Sequence, residues 1–416
     1  MNARESGEIA VIEGTRKSDT VGMLAQRELS QYEYEFLKSF LYAAYSGRYK
    51  DEKLVLTRCV AHSSLSHRPQ HPSVYDTGSG TFPVVGDGVL EVTAQWQGGT
   101  YEINVSKELI DSRVRVHTAY CLALSSIAID PAELLEYCLD QAVRNSYLKN
   151  HILHLSPLSV MEDAIQIKPV EVPGRPLEEI LLPRDTIDAV KLFIEAVRSY
   201  DQIRKPLRYL LSGKPGTGKT EVIRSMIEAC RNRATFLIVE AQTNLLKAFE
   251  LASLFSPSVL LLDDIDLICG DRNRHNGSVL LGGFLTLMDG FETSDTFVLA
   301  TTNDKQWVDI AVSRPGRFDL VLDLETLNPE LYRNLIHQRM TDKSLLPLFD
   351  DSVVELMQRK KVSAAFVVNL LKHLQIRNAL VAERIDICYV LRTIERMHNG
   401  FEKIPKKERS LGFEPN

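Results

Sequence analysis

Eight consecutive residues, Gly213-Lys214-Pro215-Gly216-Thr217-Gly218-Lys219-Thr220, carry the clearest chemistry in the chain. A mostly apolar run at 207–211 precedes them and a helical pattern at 221–231 follows, so strand, glycine loop and helix come in the order of a phosphate-binding P-loop. The glycines let successive backbone N–H groups curl round phosphates, and the new helix points its positive end at them. Lys219 reaches the outer phosphates, and Thr220 offers its hydroxyl to magnesium. Gly213, Pro215, Gly216, Thr217, Gly218, Lys219 and Thr220 are therefore the expected nucleotide contacts. The alternative, a glycine-rich turn that binds nothing, loses weight with the residues downstream.

Val259-Leu260-Leu261-Leu262-Asp263-Asp264 is an apolar strand ending in two carboxylates. Its first acid, Asp263, is expected on the magnesium that bridges the outer phosphates. The second, Asp264, is placed to orient or deprotonate an attacking water. Asn303 closes the strand at 298–302, where an amide can hydrogen-bond both the outer phosphate and that water; strand-ending asparagines also serve simply as turns. Arg314-Pro315-Gly316-Arg317-Phe318-Asp319 then sets two arginines around a rigid turn. Arginines so placed suit donation to a phosphoryl group in a neighbouring subunit, although a surface salt-bridge cluster has the same composition.

These residues need elements to hold them. From residue 176 the pattern alternates strands (235–240, 258–263, 296–301) with helices (185–200, 244–255, 278–288), the sign of a parallel sheet covered by helices. Beyond 324 only helices are expected, at 329–341, 350–359 and 363–383. Upstream, residues 28–45 read as an amphipathic helix and 54–61 as a strand. Residues 89–96 and 100–105 flank Gln97-Gly98-Gly99 as a hairpin, with a further strand pattern at 114–127. Asp130-Pro131-Ala132-Glu133 opens a helix with an acidic cap and proline at its first position. Strands at 151–155 and 164–172 end in the linker Pro173-Gly174-Arg175-Pro176. The division expected is a flexible arm at 1–27, a β-rich α+β domain at 28–172, an α/β ATPase subdomain at 173–326, a helical subdomain at 327–400 and a loose tail at 401–416.

A chain of 416 residues suits two or three domains, and its net charge of -6 gives no basic field for nucleic acid. The six cysteines are scattered without a close pair, as reduced thiols would be. Cys59, His62, His67 and His71 reproduce only part of a zinc-finger spacing, so no metal besides magnesium is expected. No apolar stretch approaches the roughly 20 residues that cross a bilayer, and 1–27 lacks the pattern of a secretion signal. The cytoplasm is the expected location.

The loop, the paired acids, the asparagine and the Arg-Pro-Gly-Arg-Phe-Asp segment, in this order, resemble the AAA family of ATPases over about 176–384. Leu285-Thr286-Leu287-Met288-Asp289-Gly290 is similar to the family as well. The resemblance implies ATP and magnesium as cofactors, with Lys219, Asp263, Asp264 and Asn303 in one subunit. It implies Arg314 and Arg317 as fingers reaching across a homo-oligomeric ring of six or seven subunits. Three departures accompany it. The segment 242–247 is short and lacks the aromatic-glycine pore loop of members that thread a chain; Asp264 stands where they carry glutamate; and Ser363-Ala364-Ala365 replaces Ser-Gly-Ala-Asp.

The short segment, the altered acid pair and Arg175-Pro176-Leu177 leading to Leu181-Leu182-Pro183, with the β-rich front domain, resemble the branch of the mitochondrial ATPase that moves the folded Rieske iron-sulfur protein across the inner membrane. No membrane helix like that of its mitochondrial members is read in this sequence, so translocation of a Rieske protein does not carry over. The function expected is ATP hydrolysis that remodels or moves a folded protein client. The alternatives are a nucleotide-switched assembly module with slow turnover, favoured by Asp264, and a nucleic-acid-dependent ATPase, disfavoured by charge.

Overall fold

The computed structural model describes residues 10–14, 22–63, 73–76, 81–84, 88–111, 114–125, 129–157, 165–268, 286, 288, 295–303, 316–324, 327–381 and 384–402. Its first half is a six-stranded antiparallel sheet ordered β1-β2-β8-β7-β6-β3, with two helices on one face. The strands are β1 (Ala10–Gly14), β2 (Gly22–Leu29), β3 (Leu54–Ser63), β6 (Gly88–Trp96), β7 (Gly99–Asp111) and β8 (Val114–Ala123). Between β3 and β6, β4 (Ser73–Asp76) and β5 (Thr81–Val84) form a separate hairpin. Alternation makes this sheet one-sided. Leu90, Val92, Ala94 and Trp96 of β6 and Tyr101, Ile103 and Val105 of β7 are buried, with their neighbours turned outward. Gln97 (φ 47°) and Gly98 (φ 83°) make the two-residue turn between them, both left-handed as the twist of a hairpin demands.

Helix α1 (Gln31–Tyr45) begins at a reciprocal cap in which Ser30 Oγ accepts from the Glu33 N–H and the Glu33 carboxylate accepts from the Ser30 N–H. Helix α2 (Pro131–Arg144) starts at Asp130, whose side chain accepts from the Ala132 N–H.

The expected arm at 1–27 is corrected by this sheet. β2 pairs with β8 along Leu24 to Leu29, and β1 pairs with β2. Ala25, Arg27 and Leu29 share the inner face, and the Arg27 guanidinium lies against Glu33 of α1 and Glu136 of α2. An inward-facing arginine breaks the apolar alternation that marks a strand, which hid β2 in the sequence.

The second sheet has seven strands in the order β10-β9-β12-β13-β14-β11-β15. β11 (Arg208–Ser212), β12 (Thr235–Val239), β13 (Ser258–Leu262), β14 (Thr296–Thr302) and β15 (Leu320–Asp323) are mutually parallel. β9 (Ile152–Pro157) adds to β12 in parallel, and β10 (Ile165–Pro169) returns antiparallel on β9. These two strands therefore belong to the second sheet, whereas the sequence reading assigned them to the domain before residue 172. Their spacing showed strands but carried no information about which sheet edge they would join. The following linker is likewise laid on the sheet: Arg231 donates to Val172 O at 3.1 Å and pairs with Glu171 at 2.9 Å.

Helices cover both faces, which is why β11, β13 and β14 are buried at every position. One face holds α3 (Arg184–Arg198), α4 (Tyr200–Ile203) and α5 (Lys219–Ala229), with Phe193, Val197, Val222 and Met226 against Tyr209, Leu261, Phe297 and Leu299. The other face packs on α6 (Leu245–Leu254), and α7 (Ile265–Ile268) follows β13. Here the core does not stop. Phe249, Ala252 and Phe255 run on into the N-terminal helices, with the Phe36 and Phe255 rings 5.4 Å apart. The helical subdomain has its own core, built from α8 (Pro329–Arg339), α9 (Asp351–Arg359), α10 (Ala364–Leu380) and α11 (Ile387–Glu402). The sequence reading named no helix at 387–402.

Because Phe255 is wholly buried where the two sheets share a core, Phe255→Ala is expected to cost about 3–5 kcal/mol. Hydrogen exchange in β7 and β13 should accelerate together; acceleration in β13 alone would show that the halves unfold separately.

Candidate nucleotide site

The parallel strands bring their C-terminal ends to one edge, and the predicted residues gather there. β11 delivers the loop 213–218, and α5 begins at Lys219 with no side-chain cap on its N-terminus. An uncapped helix start with its amides at a glycine loop is a ready anion site. Lys214, Pro215, Gly216 and Thr220 are exposed, and Thr217 Oγ1 donates to Lys214 O at 2.9 Å.

Lys219 itself is 7% exposed. Its Nζ donates to Gly213 O at 2.7 Å, to Lys214 O at 3.3 Å and to Asn303 Oδ1 at 2.7 Å. Burial holds its pKa below the usual lysine value, opposed by the charges of Asp264, Asp263 and Asp266. Since an ammonium only donates, Asn303 must turn its carbonyl to Lys219, which leaves its amide for the acids. Asn303 Nδ2 duly donates to Asp264 Oδ1 at 2.7 Å. Lysine, asparagine and aspartate thus form one relay from three different strand ends.

Asp264 has φ 51°, a left-handed conformation that few residues without glycine's freedom adopt. Its pKa is raised above the ordinary carboxylate value, first by burial and then by Asp263 and Asp266, while Lys219 and Asn303 pull the other way. Asp263 is exposed, and its Oδ1 accepts from Thr301 Oγ1 at 2.6 Å. Its other oxygen and the Thr220 hydroxyl have no partner among the described residues. Those two hard oxygens fit magnesium, which prefers one or two protein oxygens and the phosphates of its nucleotide to a closed protein cage. Consistently, no group of three or more His, Cys, Asp or Glu that could hold a metal occurs among the described residues. Of the partial zinc spacing, His67 and His71 lie outside those residues.

The arginine segment is divided. Arg314 lies outside the described residues, as does most of 285–290. Arg317 is 6% exposed in the single chain. The turn beside it is anchored by Arg208, whose Nη1 donates to Gly316 O at 3.0 Å and whose N–H donates to Asp319 Oδ2 at 2.7 Å.

Sequence reasoning passed over Asp266, Thr301 and Thr302. Thr302 Oγ1 donates to Asp266 Oδ1 at 3.1 Å, and both threonines are wholly buried. The available signal was two hydroxyls ending an otherwise apolar strand, where burial obliges each to find a partner.

The helical subdomain closes over the loop. Ala365 N–H donates to Gly216 O at 3.1 Å, at the start of α10, whose cap is Ser363. Gly216 has φ 81°, and a Cβ there would stand 2.9 Å from Ala365 Cβ and 3.1 Å from Ser363 Oγ. Gly216→Ala therefore strains the loop and pushes α10 away together. It should weaken binding of a fluorescent ATP analogue by at least about tenfold with the fold intact by circular dichroism; unchanged affinity would show that the loop and α10 yield without consequence.

Residues 209–326, which span the loop, the acid pair, Asn303 and the Gly316 turn, match the family model of the ATPase family associated with various cellular activities (AAA). The chain therefore carries an AAA ATPase domain, built on the sheet that holds the candidate site.

Proposed function

We propose that this chain hydrolyses ATP in a homo-oligomeric ring and uses the cycle to move or remodel a folded protein client. The observation that carries the hydrolytic part is the relay Lys219–Asn303–Asp264, which puts a phosphate-seeking cation, an amide and a pKa-raised carboxylate in hydrogen-bond contact. AAA domains bind nucleotide, usually with magnesium, and their family activity is ATP hydrolysis.

In this reading ATP enters between the loop and α10. Gly213, Pro215, Gly216, Thr217 and Gly218 wrap its phosphates, and Lys219 exchanges its carbonyl partners for phosphate oxygens. Thr220 and Asp263 would hold magnesium, which neutralises charge on the phosphates when bound. Asn303, released by Lys219, orients a water together with Asp264, and Asp264 takes that water's proton. Arg314 and Arg317 donate from the adjacent subunit to the charge that develops in the transition state.

The client reading rests on the connection from β12 to α6. Residues 240–244 are short and sewn to β9: Glu240 N–H donates to Leu155 O at 2.9 Å and Thr243 Oγ1 to the same carbonyl at 3.2 Å. A loop held in this way is a poor paddle for pulling an extended chain. This, with the β-rich domain packed on α6, supports the likeness to the Rieske-translocating branch in working on a folded client. No helix among the described residues is long and apolar enough to cross a membrane. A nucleotide-controlled assembly switch is the second reading, favoured by the short Asp264 side chain, which lies in contact with Asn303.

Steady-state turnover separates the two. The wild type should turn over ATP, and Asp264→Ala should lose at least about a hundredfold in kcat with ATP still bound. Arg314→Ala should lose at least about tenfold with binding unchanged. Wild-type turnover at background would remove the motor reading. Asp264 works as the ionised base and its pKa is raised, so kcat should fall as pH drops, with its acid limb above the ordinary aspartate value. An acid limb at or below the ordinary aspartate value would assign the base elsewhere.

A further inference from the structure

Thr301 has no part in the nucleotide contacts described, yet its hydroxyl touches both acids. Its side chain is 0% exposed near the end of β14. Oγ1 accepts from the Asp264 N–H at 2.8 Å and donates to Asp263 Oδ1 at 2.6 Å. The directions are fixed by chemistry: an amide can only donate, so the hydroxyl proton is left for the carboxylate. One buried hydroxyl is thus used in both senses at once.

The two bonds do different things. The bond to Oδ1 fixes the rotation of the Asp263 carboxylate and leaves its second oxygen open at the exposed edge beside the loop. The bond from the Asp264 N–H ties down a residue at φ 51°, and the chain so turned aims the Asp264 carboxylate at Asn303. Without Thr301 the half-buried Asp264 amide would lose its acceptor, and the left-handed turn its tether. Thr302 is the neighbouring comparison: its hydroxyl donates to Asp266 Oδ1 at 3.1 Å.

We propose that Thr301 is the positioning residue of the acid pair. It orients Asp263 toward the metal and Asp264 toward the water through a single hydroxyl supplied by the neighbouring strand. This rests on the reading of Asp263 as the magnesium acid and Asp264 as the base.

Thr301→Val keeps the shape of the side chain and removes the hydroxyl, and Thr301→Ser keeps the hydroxyl. Binding of a fluorescent ATP analogue is measured with and without magnesium, alongside kcat and KM. For valine, affinity without magnesium should stay within about twofold of wild type, while the magnesium-dependent gain and kcat each fall by about 10- to 100-fold. Serine should restore both to within about threefold of wild type, which a role in packing alone would not predict. If valine does not fold, Thr301→Ala provides the hydroxyl-free comparison. A hydroxyl-free variant with normal magnesium gain and kcat overturns the proposal, as does a serine variant no better than valine. Should the wild type bind magnesium-ATP but not turn over, hydrolysis falls as a function while the magnesium arm still decides Thr301. A wild type indifferent to magnesium overturns the assignment of Asp263 and the proposal with it.

Discussion

A lysine ammonium almost wholly removed from water must have its donors satisfied, and that requirement organises the nucleotide edge of this protein. Lys219 meets it with two carbonyls of its own loop and the side chain of Asn303. The loop must therefore curl back on the first residues of α5, and β14 must lie next to β11 to bring Asn303 within reach. Asn303 in turn fixes Asp264, so β13 has to lie on the far side of β14. The strand order is in this sense the geometry of one satisfied cation extended across three strands. In the proposed function ATP would compete with those internal partners, so its arrival would rearrange the lysine, the amide and the acid together.

The acids illustrate the same economy. Asp263, Asp264 and Asp266 lie within four residues at a strand end, where burial, and then repulsion from Asp263 and Asp266, raises the pKa of Asp264. Buried hydroxyls from a single neighbouring strand, Thr301 and Thr302, separate their tasks: one hydroxyl binds the first two acids, the other the third. A carboxylate one methylene shorter than glutamate can still meet Asn303 because the left-handed turn at Asp264 brings the backbone closer.

Much of this was legible before any coordinates. The glycine loop, the apolar strand ending in two acids and the strand-ending asparagine are local patterns, because a phosphate site needs particular residues at fixed steps along the chain. The hairpin at Gln97-Gly98 was equally local. What failed was whatever depended on a distant partner. β2 was hidden because Arg27 faces inward to Glu33 and Glu136, and a strand pattern counts apolar residues, not ion pairs. β9 and β10 were recognised as strands but given to the wrong sheet, since period-two alternation carries no address.

The strand β9 and the aromatic contact at Phe36 and Phe255 also determine where the chain can be cut. A fragment starting at the linker near residue 173 would leave the edge of β12 unpaired, and would bare Phe249 and Phe255 on the underside of α6. An open edge beside an apolar face is the form in which sheets aggregate. The glycine- and proline-rich segment that looks like a boundary is therefore a poor place to divide the protein. The sheet that carries the candidate nucleotide site takes two of its described strands, β9 and β10, from chain that precedes the linker.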